Sequence, residues 1–154
     1  KHKPGLILSL LTQSYRPLLD SDPEHWQPQA TSWGEFDNAV FAEPDTVGVC
    51  VFVTCLVGEP IGFGSFEPRD STSGWVGHNC ILPAHRGRGY GKLQLEEIVR
   101  RMRVRGITEI RVTTCSHSFF APALRMYRSA GFVEVGRRQG DPDPNHVLID
   151  LSLA

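Results

Sequence analysis

At 154 residues the chain has the length of a single domain, 1–154, with room for a sizeable core. Its 40% hydrophobic and 21% charged content excludes a disordered chain, and a net charge of −1 argues against a dedicated nucleic-acid binder. The longest apolar run, Val47–Val57, is too short and interrupted to cross a membrane, and Leu6–Leu11 lacks the long apolar core and small-residue cleavage site of a signal peptide.

Leu6–Leu19 reads as a helix with Pro17 as a kink or end, since Leu6, Leu10, Leu11, Tyr15 and Leu18 recur near helical spacing. Pro23–Phe41 has Asp22 as a candidate N-cap and is expected to form one or two short helices broken near Pro28. Val47–Leu56 reads as a strand, and Gly58-Glu59-Pro60 turns it into a second, Ile61–Phe66. After the loop "PRDSTSG", Trp75–Leu82 is a third strand ending at Pro83.

Leu95, Ile98, Val99 and Met102 then form a helical stripe opposite Arg100, Arg101, Arg103 and Arg105, and Gly106 ends that helix. Ile107–Thr114 is a strand, and Phe119–Ala130 a helix with Pro122 in its first turn and Gly131 as terminator. Phe132–Val135 and Val147–Leu153 close the chain, joined by the loop "RRQGDPDPN". Strand, crossover helix and strand force Trp75–Leu82 and Ile107–Thr114 into a parallel pair.

Charge and cysteines are unevenly used. Residues 1–47 carry a net −4 and the remainder +3, with seven bases against two acids from Arg86 to Arg105. An acidic front and a basic loop and helix suit different ligands. Cys50, Cys55, Cys80 and Cys115 form no CxxC pair, so no metal site is expected; buried, reduced thiols in a cytoplasmic protein are.

The densest chemical signal is "HRGRGYGK", His85–Lys92, at the carboxyl end of a parallel strand and the start of a helix. Helix N-termini present unpaired amides and partial positive charge. Gly87, Gly89 and Gly91 allow close approach of an anion, and Arg86, Arg88 and Lys92 add charge. The GxGxG spacing does not fit the dinucleotide fingerprint, and Leu93 after Lys92 removes the P-loop hydroxyl. On the loop alone, phosphate binding, a structural turn and an RNA-binding patch all stay open. On the preceding strand, His78 and Cys80 share a face.

"CILPAHRGRGYGKLQL" resembles the acetyl-CoA motif of the GNAT family of N-acetyltransferases, Q/R-x-x-G-x-G/A, with Arg86, Gly89 and Gly91 in its fixed places. "ALRMYRSAGF" resembles the family's second signature, A-x-x-L-Y-x-x-x-G-F, through Ala123, Met126, Tyr127, Gly131 and Phe132. The resemblance implies a mixed α/β fold. Its mostly antiparallel sheet would have six to seven strands, a splayed parallel pair and helices on both faces.

It also implies an N-acetyltransferase that transfers acetyl directly from acetyl-CoA to a small-molecule or peptide amine, as a monomer or homodimer. The diphosphate would lie on the amides of Arg86, Gly87, Arg88, Gly89, Tyr90, Gly91 and Lys92. The pantetheine arm would fill the splay as a surrogate strand, bonded to the backbone of Cys80, Ile81 and Leu82; an amide near Cys80 or Ile81 would be the oxyanion donor.

An amine of pKa near 10 must lose its proton before it attacks. Tyr127 is the candidate acid for the leaving thiolate, His78 the candidate base and Glu67 the alternative base. An acyl-enzyme on Cys80 is the lesser reading, because direct transfer needs none. Trp26, Trp33, Glu35, Asp37 and Glu43 are candidates for the amine pocket, with core tryptophans and solvated acids the default. One departure is Phe120, where the family often has an Asn that contacts the cofactor. It keeps open a non-catalytic acyl-CoA-binding or sensing domain of the same fold, with an RNA-binding module as a third reading.

Overall fold

The computed structural model describes residues 2–140 and 145–154. Three helices open the chain: α1 (Leu6–Ser14), α2 (Arg16–Ser21) and α3 (Pro23–Ala42). Then follow β1 (Val51–Leu56), β2 (Glu59–Pro68), β3 (Ser73–Ile81), α4 (Tyr90–Val104), β4 (Glu109–Cys115), α5 (Ala121–Ser129), β5 (Val133–Gln139) and β6 (Val147–Leu153). The strands form one six-stranded sheet in the order β1-β2-β3-β4-β6-β5, with helices around it. β3 and β4 are its parallel pair, in register from Ser73 opposite Glu109 to Trp75 opposite Arg111. The expected mixed, mostly antiparallel sheet is therefore present.

The chain falls into two compact units. The first holds residues 1–65 and 78–95, the second 66–77 and 96–154. In the first, Ile7, Leu10, Leu11, Leu18, Trp26, Trp33 and Val40 bring α1, α2 and α3 into one core, and Tyr15 stacks on Trp33 at 5.3 Å. Asp37 is 3% exposed on α3, yet its carboxylate accepts from the amides of Gly5 (2.8 Å) and Leu8 (3.0 Å), capping α1 from a distance. Val57 and Gly58 both have positive φ (50° and 80°), the geometry a two-residue hairpin turn requires between β1 and β2.

In the second unit, Ile98 and Met102 are fully buried on α4, each worth roughly 1.5–3 kcal/mol. Gly106 is left-handed at φ 85° after the helix end, as expected. Asp70 closes the loop before β3 by accepting from the amides of Thr72 and Ser73.

Several boundaries differ from expectation. The first helix ends one turn before Pro17, which instead occupies the first turn of α2, where its missing N–H is harmless. α3 is a single helix that runs through Pro28. Burial of Trp26, Trp33 and Val40 at roughly 1.5–3 kcal/mol each outweighs the roughly 3 kcal/mol a mid-helix proline costs. β1 begins at Val51, after a 3₁₀ turn over Gly48–Cys50. α5 begins at Ala121, after a 3₁₀ turn over Ser118–Phe120. In the loop expected after Val135, β5 continues to Gln139, and residues 141–144 lie outside the described residues. Cys50, Cys80 and Cys115 are buried, but Cys55 is exposed on β1, contrary to the expectation for all four. Among the described residues no helix is long and apolar enough to cross a membrane.

Candidate active site

The sequence-predicted loop is built at the end of β3. A 3₁₀ turn over Pro83–His85 reverses the chain, and Arg86 leads into two left-handed glycines, Gly87 (φ 76°) and Gly89 (φ 86°). No atom lies within 4 Å of a Cβ placed at either glycine, so the space before the loop is open. The Gly89 carbonyl accepts the first helical bond of α4, from Leu93 N–H at 3.1 Å. The amides of Tyr90, Gly91 and Lys92 therefore precede that bond and point out of the helix end. Arg88 and Lys92 are exposed beside them. Together these groups form a positively polarised cradle of backbone amides.

Arg86 is engaged differently from Arg88 and Lys92. Its guanidinium donates to the Ile81 carbonyl at 2.9 Å and to the Ser14 carbonyl at 2.6 Å. Those bonds tie the end of β3 to α1 and place the start of the loop. Arg86 contributes to the cradle through the path it gives the chain.

The β3 residues alternate in what they bond. Leu82 N–H donates to the Ile61 carbonyl at 2.7 Å, and the Cys80 carbonyl accepts from Gln94 Nε2 at 3.1 Å. His78 N–H donates to Ser65 Oγ at 2.7 Å. Residues 78, 80 and 82 thus direct these groups toward β2 and α4, and by strand alternation the amides of Asn79 and Ile81 face the other edge.

A buried amide network joins this strand to α4, and sequence reading missed it. Gln94, 2% exposed, donates from Nε2 to Phe63 O (2.7 Å), Asn79 Oδ1 (2.7 Å) and, at longer range, Cys80 O. Its Oε1 accepts from Thr54 Oγ1 at 2.6 Å. Asn79 Nδ2 in turn donates to the Gly91 carbonyl at 3.3 Å. The signal was available: Gln94, Ile98 and Met102 are spaced i, i+4, i+8, so a polar amide stands on the core stripe of α4.

The titratable candidates separate by environment. The His78 ring lies 5.2 Å from Phe36 and 5.7 Å from Phe63, and burial lowers its pKa from 6.5 to about 4. It is neutral at pH 7. Burial raises the Cys80 thiol to about 11, so it carries almost no thiolate. In the second unit, Glu67 is exposed, 3.5 Å from Arg69 Nε. Tyr127 is 6% exposed on α5, its ring edge-on to Phe132 at 5.7 Å. Phe120 packs edge-on against Phe119.

Three of the five residues proposed for an amine pocket have structural roles. Trp26 and Trp33 are core residues and Asp37 is the cap of α1, while Glu35 and Glu43 are exposed. A separate apolar cleft of about 350 Å³, bordered by Ile7, Val40, Phe41, Pro44 and Phe52, includes none of the predicted site residues. The basic stripe of α4 is largely engaged within its own unit. Arg100 and Arg101 pair with Glu97, and Arg103 donates to the carbonyls of Thr108 and Ala154. Among the described residues there is no group of three or more side chains placed to hold a metal ion.

Comparison with solved structures finds the same fold. A protein of Desulfovibrio desulfuricans assigned to the GNAT acetyltransferases aligns over 99% of this chain and 94% of its own, with a TM-score of 0.76 and 18% identity. A GNAT-family acetyltransferase from Elizabethkingia anophelis with acetyl-CoA bound aligns over 67% of this chain and 74% of its own (TM-score 0.60, 15% identity). The ribosomal-protein-S18-alanine N-acetyltransferase of Escherichia coli aligns over 67% and 66% (TM-score 0.59, 21% identity). No curated protein matches by sequence. The model of the "Acetyltransferase (GNAT) family" matches residues 8–132, most of the chain including the loop and Tyr127, and the protein therefore belongs to the GNAT acetyltransferase family.

Proposed function

We propose that residues 1–154 act as one N-acyltransferase domain that moves the acetyl group of acetyl-CoA directly to an amine. The observation that carries this is the cradle after β3: two left-handed glycines, an open approach and the outward amides of Tyr90, Gly91 and Lys92. It fits a diphosphate through backbone donors, with Arg88 and Lys92 beside them. Structural relatives that carry acetyl-CoA support the same ligand.

Acetyl-CoA supplies the activated thioester; the chain supplies position and protons. The amides of Asn79 and Ile81, on the edge of β3 away from β2, are the ones suited to hold the pantetheine arm, and Ile81 N–H to polarise the reacting carbonyl. Of the backbone groups of Cys80, Ile81 and Leu82 expected to hold the arm, the Cys80 carbonyl and the Leu82 amide have protein partners. Tyr127 donates a proton to the departing sulfur.

Of the two candidate bases, His78 is held neutral and is a weak base. The exposed Glu67 carboxylate is the alternative acceptor of the amine proton. Cys80, protonated and buried, forms no acyl-enzyme. The thiol of Cys80, buried and protonated, and the exposed Cys55 suit a reducing compartment such as the cytoplasm.

The test is thiol release from acetyl-CoA against a panel of amines, amino acids, peptides and polyamines, with the amide product identified by mass. Tyr127→Phe is expected to lower kcat about 100-fold with acetyl-CoA affinity retained. Unchanged turnover in that variant removes Tyr127 from the reaction. Saturable acetyl-CoA binding with no acceptor found across the panel would favour the sensing domain instead.

A further inference from the structure

We propose that Gln94 is a positioning residue that holds the diphosphate cradle in register with the pantetheine-binding edge of β3. This rests on the assignment of acetyl-CoA to the loop, and goes beyond it by naming the device that aligns the two halves of the site.

The side-chain orientation of Gln94 is forced by its neighbours. Phe63 O and Cys80 O can only accept, so the amide nitrogen must face them, which leaves Oε1 for the Thr54 hydroxyl. Two N–H bonds are thus shared among three acceptors, with Asn79 Oδ1 the third. Asn79, oriented by that bond, donates to the carbonyl of Gly91 within the cradle itself. The connected path runs from β1 through Gln94 to two neighbouring residues of β3 and to the first turn of α4. Thr54, Phe63, Asn79, Cys80, Gly91 and Gln94 all belong to one compact unit.

An apolar residue would fill this stripe position more simply, since burying an amide costs free energy unless every group is paired. Satisfied, the network fixes a distance and an angle that apolar packing leaves softer. A ligand that bonds the β3 edge and the cradle together needs that fixed relation. A ligand that reaches only the cradle does not.

The test is calorimetric titration of wild type, Gln94→Leu and Thr54→Val with two probes. Acetyl-CoA spans both halves, and adenosine 3′-phosphate 5′-diphosphate, measured by competition where weak, reaches only the cradle. For Gln94→Leu the acetyl-CoA Kd is expected to rise about tenfold, the equivalent of one to two lost hydrogen bonds, while the nucleotide Kd changes less than about twofold. Thr54→Val, which leaves the β3 and α4 bonds in place, should show the same selectivity at about threefold. It decides the matter if Gln94→Leu does not fold. Equal losses for both probes, or no loss for either, overturn the positioning role. Wild type that binds neither probe overturns the acetyl-CoA assignment instead, so the two failures are distinguishable.

Discussion

The Arg86–Lys92 loop and the α1–α3 helices lie in the same compact unit but direct their polar groups oppositely. In the loop, the amides of Tyr90, Gly91 and Lys92 point out of the helix end and Arg88 and Lys92 remain exposed, while the Arg86 amide donates to the Pro83 carbonyl. In the helices, acids serve as caps: the buried Asp37 caps α1, and Asp22 accepts from the His25 amide and ring at the start of α3. The first region leaves its donors open to an approaching group, while the second uses its acids for its own stability. A cluster of acids in a sequence is therefore a weak guide to a cationic substrate. The Asp37 carboxylate is already satisfied by two amides.

The largest expected effect concerns the strand that leads into the loop. His78, packed against Phe36 of α3, has a folded-state pKa near 4 against 6.5 unfolded, so the unfolded chain binds the extra proton first. Its contribution is fully present above about pH 6.5 and is lost as pH falls toward 4, on the order of 3 kcal/mol in all. Thermal melts of wild type and His78→Phe from pH 7 to 4.5 should show a steeper decline for wild type. Parallel declines would mean that the imidazole is not held neutral.

Next is Gly89→Val, which forces a β-branched residue to φ 86° at a cost of about 1–2 kcal/mol and should weaken acetyl-CoA binding about 30-fold. Its melting temperature should fall by only a few degrees, because nothing packs on that glycine. Asp37→Ala should reverse the pattern. It should lose about 1–2 kcal/mol of stability in chemical denaturation with the loss of the α1 cap, while acetyl-CoA affinity and amine preference stay as in wild type. A changed amine preference would return Asp37 to the acceptor site.

The smallest effect is expected at Cys80. With its thiol held near 11, iodoacetamide at pH 8 should label Cys55 and spare Cys80, and Cys80→Ala should turn over within about threefold of wild type. An acetylated Cys80 in intact-protein mass spectra would contradict direct transfer.

What was legible in the sequence follows the same division. The parallel β3–β4 pair, the α4 stripe ending at Gly106 and the glycine loop depend on spacing and backbone conformation, which single residues report. The passage of α3 through Pro28 was not legible, because tertiary burial of Trp26 and Trp33 decides it. Nor were the roles of Asp37 and Gln94, whose partners lie 29 to 40 residues away for the bonds to Leu8 and Thr54. The inward turn of Arg86 onto Ser14 was hidden for the same reason. Of the residues the sequence offered for the amine, Trp26 and Trp33 are core, Asp37 is a cap, and Glu35 and Glu43 are exposed.

The central claim is that the donor binds through the backbone of the β3–α4 connection while α1–α3 serve as scaffold. Hydrogen exchange read by mass spectrometry, with and without acetyl-CoA and with no amine present, tests it most directly. Slowed exchange concentrated in residues 79–93, with residues 23–42 unchanged, is the expected result. Protection confined to 23–42, or none at 86–93 under saturating acetyl-CoA, would contradict it.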